Sequence, residues 1–225
     1  MQIFILNGGL GKRVKKYSNH KPKCLIDFNG KPFLYHQLKL LKSKNLKDII
    51  LCLGFKSNQI LNYLKKNKKL SQGIKSSVEK KKLGTGGALI NSKKFMNEFF
   101  FVSFGDSYLD LNYKKIYNLF KKTKKSSLIT VIHKNKLPYH NPNILIKKKK
   151  LMMYKNDLKS NYIDYGLMVF KKEIFLNYSL KRISLITIIK KLIKNKDISF
   201  VEIKKKFNEI GSEYGIENFK NYLKK

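Results

Sequence analysis

A short apolar run, Ile3 to Leu6, stops on Asn7-Gly8-Gly9-Leu10-Gly11, and this opening governs how the rest of the chain reads. So few apolar residues bounded by glycines suit a buried strand and not a helix, and the glycines behind them make a loop whose backbone can approach a ligand. The pattern then alternates. Leu34, Leu38 and Leu41 recur at helical spacing after Pro32, Asp48 to Leu53 reads as a second strand, Asn58 to Lys66 as a helix carrying Ile60, Leu61 and Leu64, and Ile74 to Glu79 as a third strand. A glycine-rich turn at Gly84 to Gly87 leads into a helix ending near Phe95. Phe99 to Phe104 is the most hydrophobic short run and delivers Gly105-Asp106 to its C-terminal edge, where open α/β sheets bind ligands. Leu128 to His133, Tyr165 to Phe170 and Ile198 to Ile203 predict further strands; Leu185 to Ile193 and Ser212 to Leu223 predict helices. The expectation is one α/β domain over residues 1–225, Rossmann-like and three-layered, α/β/α, with a mostly parallel mixed sheet. The irregular stretch 134–160, with Pro138, Pro142 and the run Lys147 to Lys150, predicts a hairpin or loop excursion whose lysines face solvent.

The chain carries 50 Lys plus Arg against 14 Asp plus Glu, a formal charge of +36, which would ordinarily suggest a polyanionic partner. Yet only Arg13 and Arg182 are arginine, and reading bases or clamping phosphates relies on the guanidinium fork. Abundant Asn and Ile beside the Lys point to codon bias, so no specific nucleic-acid partner is expected. Cys24 and Cys52 lie too far apart in sequence to suggest a disulfide framework or a zinc site, and the histidines lack ligand spacing. Lysine interrupts every apolar run short of the roughly 20 residues of a membrane span, and Met1 to Leu6 is too brief for an export signal. A cytoplasmic protein without a membrane anchor is expected.

The first loop, Gly8-Gly9-Leu10-Gly11-Lys12-Arg13, suits a triphosphate: residues without Cβ let N–H groups reach anionic oxygens, and two cations add charge-assisted hydrogen bonds. It is not a P-loop, and Arg13 stands where the dinucleotide fingerprint needs its third glycine. Lys21-Pro22-Lys23-Cys24-Leu25 and Gly30-Lys31-Pro32-Phe33-Leu34 follow. In this order the blocks resemble the opening of the sugar-phosphate nucleotidyltransferases. Three later blocks are similar to the same family: Glu79 to Ala88, containing Leu83-Gly84-Thr85-Gly86-Gly87; Phe104-Gly105-Asp106-Ser107; and Asn208-Glu209-Ile210-Gly211-Ser212.

The resemblance implies a division of labour. Leu6, Asn7, Gly8, Gly9, Gly11, Lys12 and Arg13 would bind the nucleotide, with Arg13 at the β- and γ-phosphates. Lys23 would neutralise the α-phosphate and the incoming phosphate, making Arg13, Lys23 and Asp106 the catalytic set. Glu79, Gly84, Thr85 and Gly86, with Gly87, would close over the nucleoside; Gly105, Asp164, Tyr165 and Gly166 would meet the sugar phosphate, with the 134–160 excursion nearby. Asp106 and Glu209 would hold Mg²⁺. Glu209 replaces an acid that is often Asp in the family, and Asp110 is an alternative nearby acid. Thr85 is also compatible with a cap on the helix beginning at Gly86, and Cys24 with packing alone.

Within the family, the segments around Gly30 and Gly84 resemble the D-glycero-D-manno-heptose 1-phosphate and mannose 1-phosphate guanylyltransferases. That resemblance implies GTP plus a sugar 1-phosphate as substrates and a nucleotide-sugar for surface polysaccharide or glycoprotein assembly as product; a monomer or homodimer is expected, the sequence itself not distinguishing them. Uridylyl or cytidylyl transfer to N-acetylmuramate 1-phosphate or a phosphocholine-like acceptor remains open at this level. So do a non-catalytic sugar-nucleotide sensor and a basic nucleic-acid-binding protein, although no binding module for the latter is visible.

Overall fold

The computed structural model describes residues 1–9, 11–155 and 157–224, without the side chain of Lys12. The chain divides into two compact units, each assembled from separated stretches. The first comprises Met1–Lys82, Ser103–Asp110 and Phe207–Lys225; the second comprises Leu83–Val102 and Leu111–Lys206.

In the first unit Gln2–Asn7, Asp48–Leu53 and Ile74–Val78 are parallel strands with Asp48–Leu53 in the middle, in a register running from Gln2 opposite Asp48 to Leu53 opposite Val78. Gln2–Asn7 is buried along its whole length, as expected of a parallel strand covered on both faces. Helix Phe33–Ser43 starts directly after Pro32, whose fixed φ and extended ψ end the preceding segment, and it buries Phe33, Leu34, Gln37, Leu38 and Leu41 on one face. A cluster of Val14, Ile26, Phe28, Phe33, Ile210, Ile216 and Phe219 ties together segments far apart in sequence. The Phe219 ring centroid lies 4.9 Å from that of Phe28 and 5.0 Å from that of Phe33, both edge-on. Each buried Phe contributes about 2 kcal/mol, so this cluster anchors the turns bearing Lys23 and Glu209.

In the second unit Ser127–His133 lies between Tyr162–Lys171, antiparallel to it, and Ile198–Glu202, parallel to it. Ile144–Lys147 and Lys150–Tyr154 form the hairpin expected in the 134–160 stretch. It turns on Lys148 and Lys149, both left-handed at φ 46° and 56°, the twist a two-residue hairpin requires. The strand predicted at Tyr165 begins three residues earlier, at Tyr162, because its register against Ser127–His133 shifts between Asp164 and Met168. Such a bulge interrupts the period-two signal that a sequence reading follows. The α/β class with a mixed sheet holds. Among the described residues no helix is long and apolar enough to cross a membrane.

Candidate active site

In the first unit, Lys23 opens the short 3-10 turn Lys23–Leu25 after Pro22, and Asp106 follows the strand Phe99–Phe104. Glu209 reaches Asp106 through a two-residue antiparallel pairing, Asn208 with Tyr108 and Glu209 with Ser107, and the Ile210 N–H donates to the Asp106 carbonyl at 2.9 Å. Lys23 Nζ lies 2.5 Å from Asp106 Oδ2, with the two side chains 19% and 24% exposed, wet enough to exchange partners.

Gly211 marks the centre of the arrangement. A Cβ there would stand 2.7 Å from Glu209 Oε2, 2.9 Å from Asp106 Oδ2 and 3.4 Å from Arg13 Nη2. Arg13, Lys23, Asp106 and Glu209 therefore converge within one unit, two cations against two carboxylates. Glu209 accepts from the Gly211 N–H and the Ser212 hydroxyl. Ser212 also caps helix Glu213–Tyr222, its hydroxyl oxygen accepting from the Gly215 N–H at 3.0 Å. That places the Glu209 carboxylate at a helix N-terminus, where the partial positive charge favours an anion.

The turn bearing Asp106 is held from both sides. The Gly105 N–H donates to the Leu6 carbonyl at 3.1 Å, and any Cβ on Gly105 would run into Asn7 Oδ1. Asn7 is buried, and its Nδ2 has no hydrogen-bond partner among the described residues. On the other side Gln37 Nε2 donates to the carbonyls of Phe104 at 3.2 Å and Ser107 at 2.8 Å. Sequence reasoning missed Gln37. The available signal is an amide on the apolar face of Phe33–Ser43.

In the glycine loop, Gly11 is left-handed at φ 61°, and its carbonyl accepts from Val14 N–H at 3.1 Å, which turns the chain toward Arg13. Among the described residues nothing lies within 4 Å of a Cβ placed on Gly9. The side chain of Lys12 lies outside the described residues, as does Leu10. Glu79 leaves its strand but still donates its N–H to the Leu53 carbonyl at 2.9 Å. Its carboxylate is 3.2 Å from a Cβ on Gly8 and would collide with one on Gly54, a position the sequence did not single out. Asp110 pairs with Lys44 at 2.6 Å. Cys24 is buried, which pushes its thiol up to about 12 and leaves it a packing residue.

The remaining predicted residues belong to the second unit. The N–H groups of Gly86 and Gly87 both donate to the Ile183 carbonyl at 3.0 Å, so these glycines seat helix Gly84–Asn91 against the segment before Leu185–Lys194. Thr85 does not cap its own helix: its Oγ1 accepts from the Leu185 N–H at 2.9 Å, at the start of a helix whose own cap is Ser184. Asp164, Tyr165 and Gly166 sit at the bulge. Tyr154 donates its hydroxyl to Asp164 Oδ2 at 2.5 Å, the Gly166 N–H donates to Oδ1 at 2.9 Å, and the Asp164 N–H donates to Asn143 Oδ1 at 2.8 Å. Burial pushes the Asp164 carboxyl up to about 6 against the opposing pull of these two donors.

No group of three or more His, Cys, Asp or Glu side chains suited to a metal occurs among the described residues. Asp106 and Glu209, both beside Gly211, still fit Mg²⁺, which takes one or two protein carboxylates and completes its octahedron with water and phosphate oxygens.

Residues 3–143 match the family model described as Nucleotidyl transferase, and the chain belongs to that family. It is 39% identical over 116 residues to the D-glycero-alpha-D-manno-heptose 1-phosphate guanylyltransferase of Campylobacter jejuni, a match covering 52% of each chain. It is 28% identical over 237 residues to the Bifunctional protein GlmU of Methanococcus maripaludis, covering 99% of this chain and 54% of the relative. The chain spans about half the length of the curated relatives it matches. Among solved structures, HddC from Yersinia pseudotuberculosis complexed with GMP-PN superposes with a TM-score of 0.84 at 26% identity, covering 99% of both chains.

Proposed function

We propose that this chain is a sugar-phosphate nucleotidyltransferase, working as one nucleotidyltransferase domain over residues 1–225, that joins GTP to a heptose or mannose 1-phosphate. The supporting observation is the convergence of Arg13, Lys23, Asp106 and Glu209 around Gly211. The guanylyltransferase name of the Campylobacter relative and the GMP-PN in the Yersinia structure support GTP and heptose as the first pair to test.

The reaction brings together two phosphates that repel at contact distance, so the protein must neutralise and align them and needs no covalent nucleophile. Arg13 leads out of the glycine loop and binds the β- and γ-phosphates. Lys23, released from Asp106, takes the α-phosphate and the sugar phosphate together. A phosphate oxygen of the sugar 1-phosphate attacks the α-phosphorus in line; the bond to the β-phosphate oxygen breaks and pyrophosphate leaves with the electron pair. Asp106 and Glu209 would hold Mg²⁺, which when bound supplies charge neutralisation at the α-phosphate. Asp164 and Gly166, at the bulge of the second unit, are assigned to the sugar.

The test is pyrophosphate release across four nucleoside triphosphates and a panel of heptose, mannose, glucose and N-acetylated sugar 1-phosphates. Release that needs both substrates, and is greatest with GTP, is expected. Silence across the panel would sink the proposal.

A further inference from the structure

We propose that Gln37 is a positioning residue for both carboxylates of the site; this rests on the nucleotidyltransferase reading. Its one amide nitrogen bridges the carbonyls of Phe104 and Ser107, the residues flanking Gly105-Asp106. Ser107 is in turn the pairing partner of Glu209, and the Asp106 carbonyl receives the Ile210 N–H. The same NH₂ group therefore sets the height of the Asp106 turn and the strand to which Glu209 is registered.

Packing alone does not account for this side chain. Gln37 is 2% exposed among Phe33, Leu34, Leu38 and Leu41, and its Oε1 is buried without a hydrogen-bond partner among the described residues. Leaving a buried acceptor unpaired is unfavourable, and Met would fill the same volume without that cost. What Gln supplies and Met does not is a forked donor aimed at two loop carbonyls. Among the described residues neither Arg13 nor the glycine loop hydrogen-bonds to Gln37, so the KM for the triphosphate should be insensitive to it.

The experiment compares wild type, Gln37→Met and Gln37→His, the last keeping a ring N–H at nearly the same reach. Two readouts are taken: hydrogen exchange of the peptide spanning 103–110, and separate kcat and KM values for the triphosphate. Gln37→Met is expected to speed exchange in that peptide about tenfold and to lower kcat about tenfold, with KM within about twofold. Gln37→His, which offers one ring N–H to the two carbonyls, should recover part of both. Wild-type exchange and kcat in Gln37→Met overturn the proposal, as does a Gln37→His protein as impaired as the Met variant, or a rise in KM at unchanged kcat. If Gln37→Met does not fold, Gln37→His decides alone, a partial loss in both readouts supporting the proposal and wild-type values in both overturning it. A wild-type protein without pyrophosphate release sinks the proposed reaction instead, while the exchange comparison still decides whether Gln37 holds the turn.

Discussion

Lys23 and Asp106, 83 positions apart in sequence, meet at 2.5 Å, so the carboxylate assigned to the metal and the cation assigned to the phosphates neutralise each other. A partly exposed pair of this kind contributes at most about 1 kcal/mol to stability. Lys23→Met should therefore leave the denaturation midpoint almost unchanged while turnover falls about a hundredfold or more. It should also tighten Mn²⁺ binding to the free protein, because the competing cation is gone. Calorimetric titration with Mn²⁺ beside steady-state rates checks both; weaker metal binding in Lys23→Met would contradict the arrangement.

Gly211→Ala places a methyl among Glu209, Asp106 and Arg13 at 2.7, 2.9 and 3.4 Å. These contacts are with flexible side chains, so the fold should survive while the carboxylates are pushed apart. A kcat drop of about tenfold or more, with a native circular dichroism spectrum, is the expected result. Wild-type turnover in this variant would show that the carboxylates tolerate displacement.

Ser212 both caps helix Glu213–Tyr222 and donates to Glu209. Ser212→Ala should cost about 1 kcal/mol in urea denaturation, and Ser212→Thr should restore most of it. Turnover should fall further in the Ala variant than helix stability accounts for, since Glu209 loses a donor.

Asp164 predicts a pH effect of definite sign. Burial raises its pKa from 3.8 to about 6, so between those values the folded protein binds a proton that the unfolded chain has released. Stability contributed at this site is therefore highest at low pH and is lost as pH rises through 6, by about 3 kcal/mol at most. Asp164→Asn should abolish that slope, so its stability relative to wild type should rise between pH 4 and pH 7 and level off above. Chemical denaturation of both proteins across pH 4 to 8 measures the difference.

Much of this architecture is legible before any coordinates. The apolar runs at Ile3 and Phe99 end on glycines, Gly8 and Gly105, because a buried parallel strand leaves a continuous apolar signature and its exit needs close backbone approach. The lysine hairpin at Lys147 to Lys150 was equally readable. Gln37 and Gly54 were not, since the meaning of each depends on which residue from a distant segment stands opposite. Thr85 read as a cap on its own helix, but its hydroxyl instead accepts the Leu185 N–H of a distant helix, beyond the reach of local spacing.

From sequence alone come the α/β class and the glycine loops, because periodicity and glycine placement are properties of neighbouring residues, while Arg13, Lys23, Asp106 and Glu209 are singled out by motifs that resemble the sugar-phosphate nucleotidyltransferases. The tertiary structure alone decided that Glu209 reaches Asp106 through its pairing with Ser107, that Gln37 steadies the turn between them, and that the chain divides into two units of interleaved segments. These depend on contacts between residues far apart along the chain, which only long-range hydrophobic burial and strand pairing select.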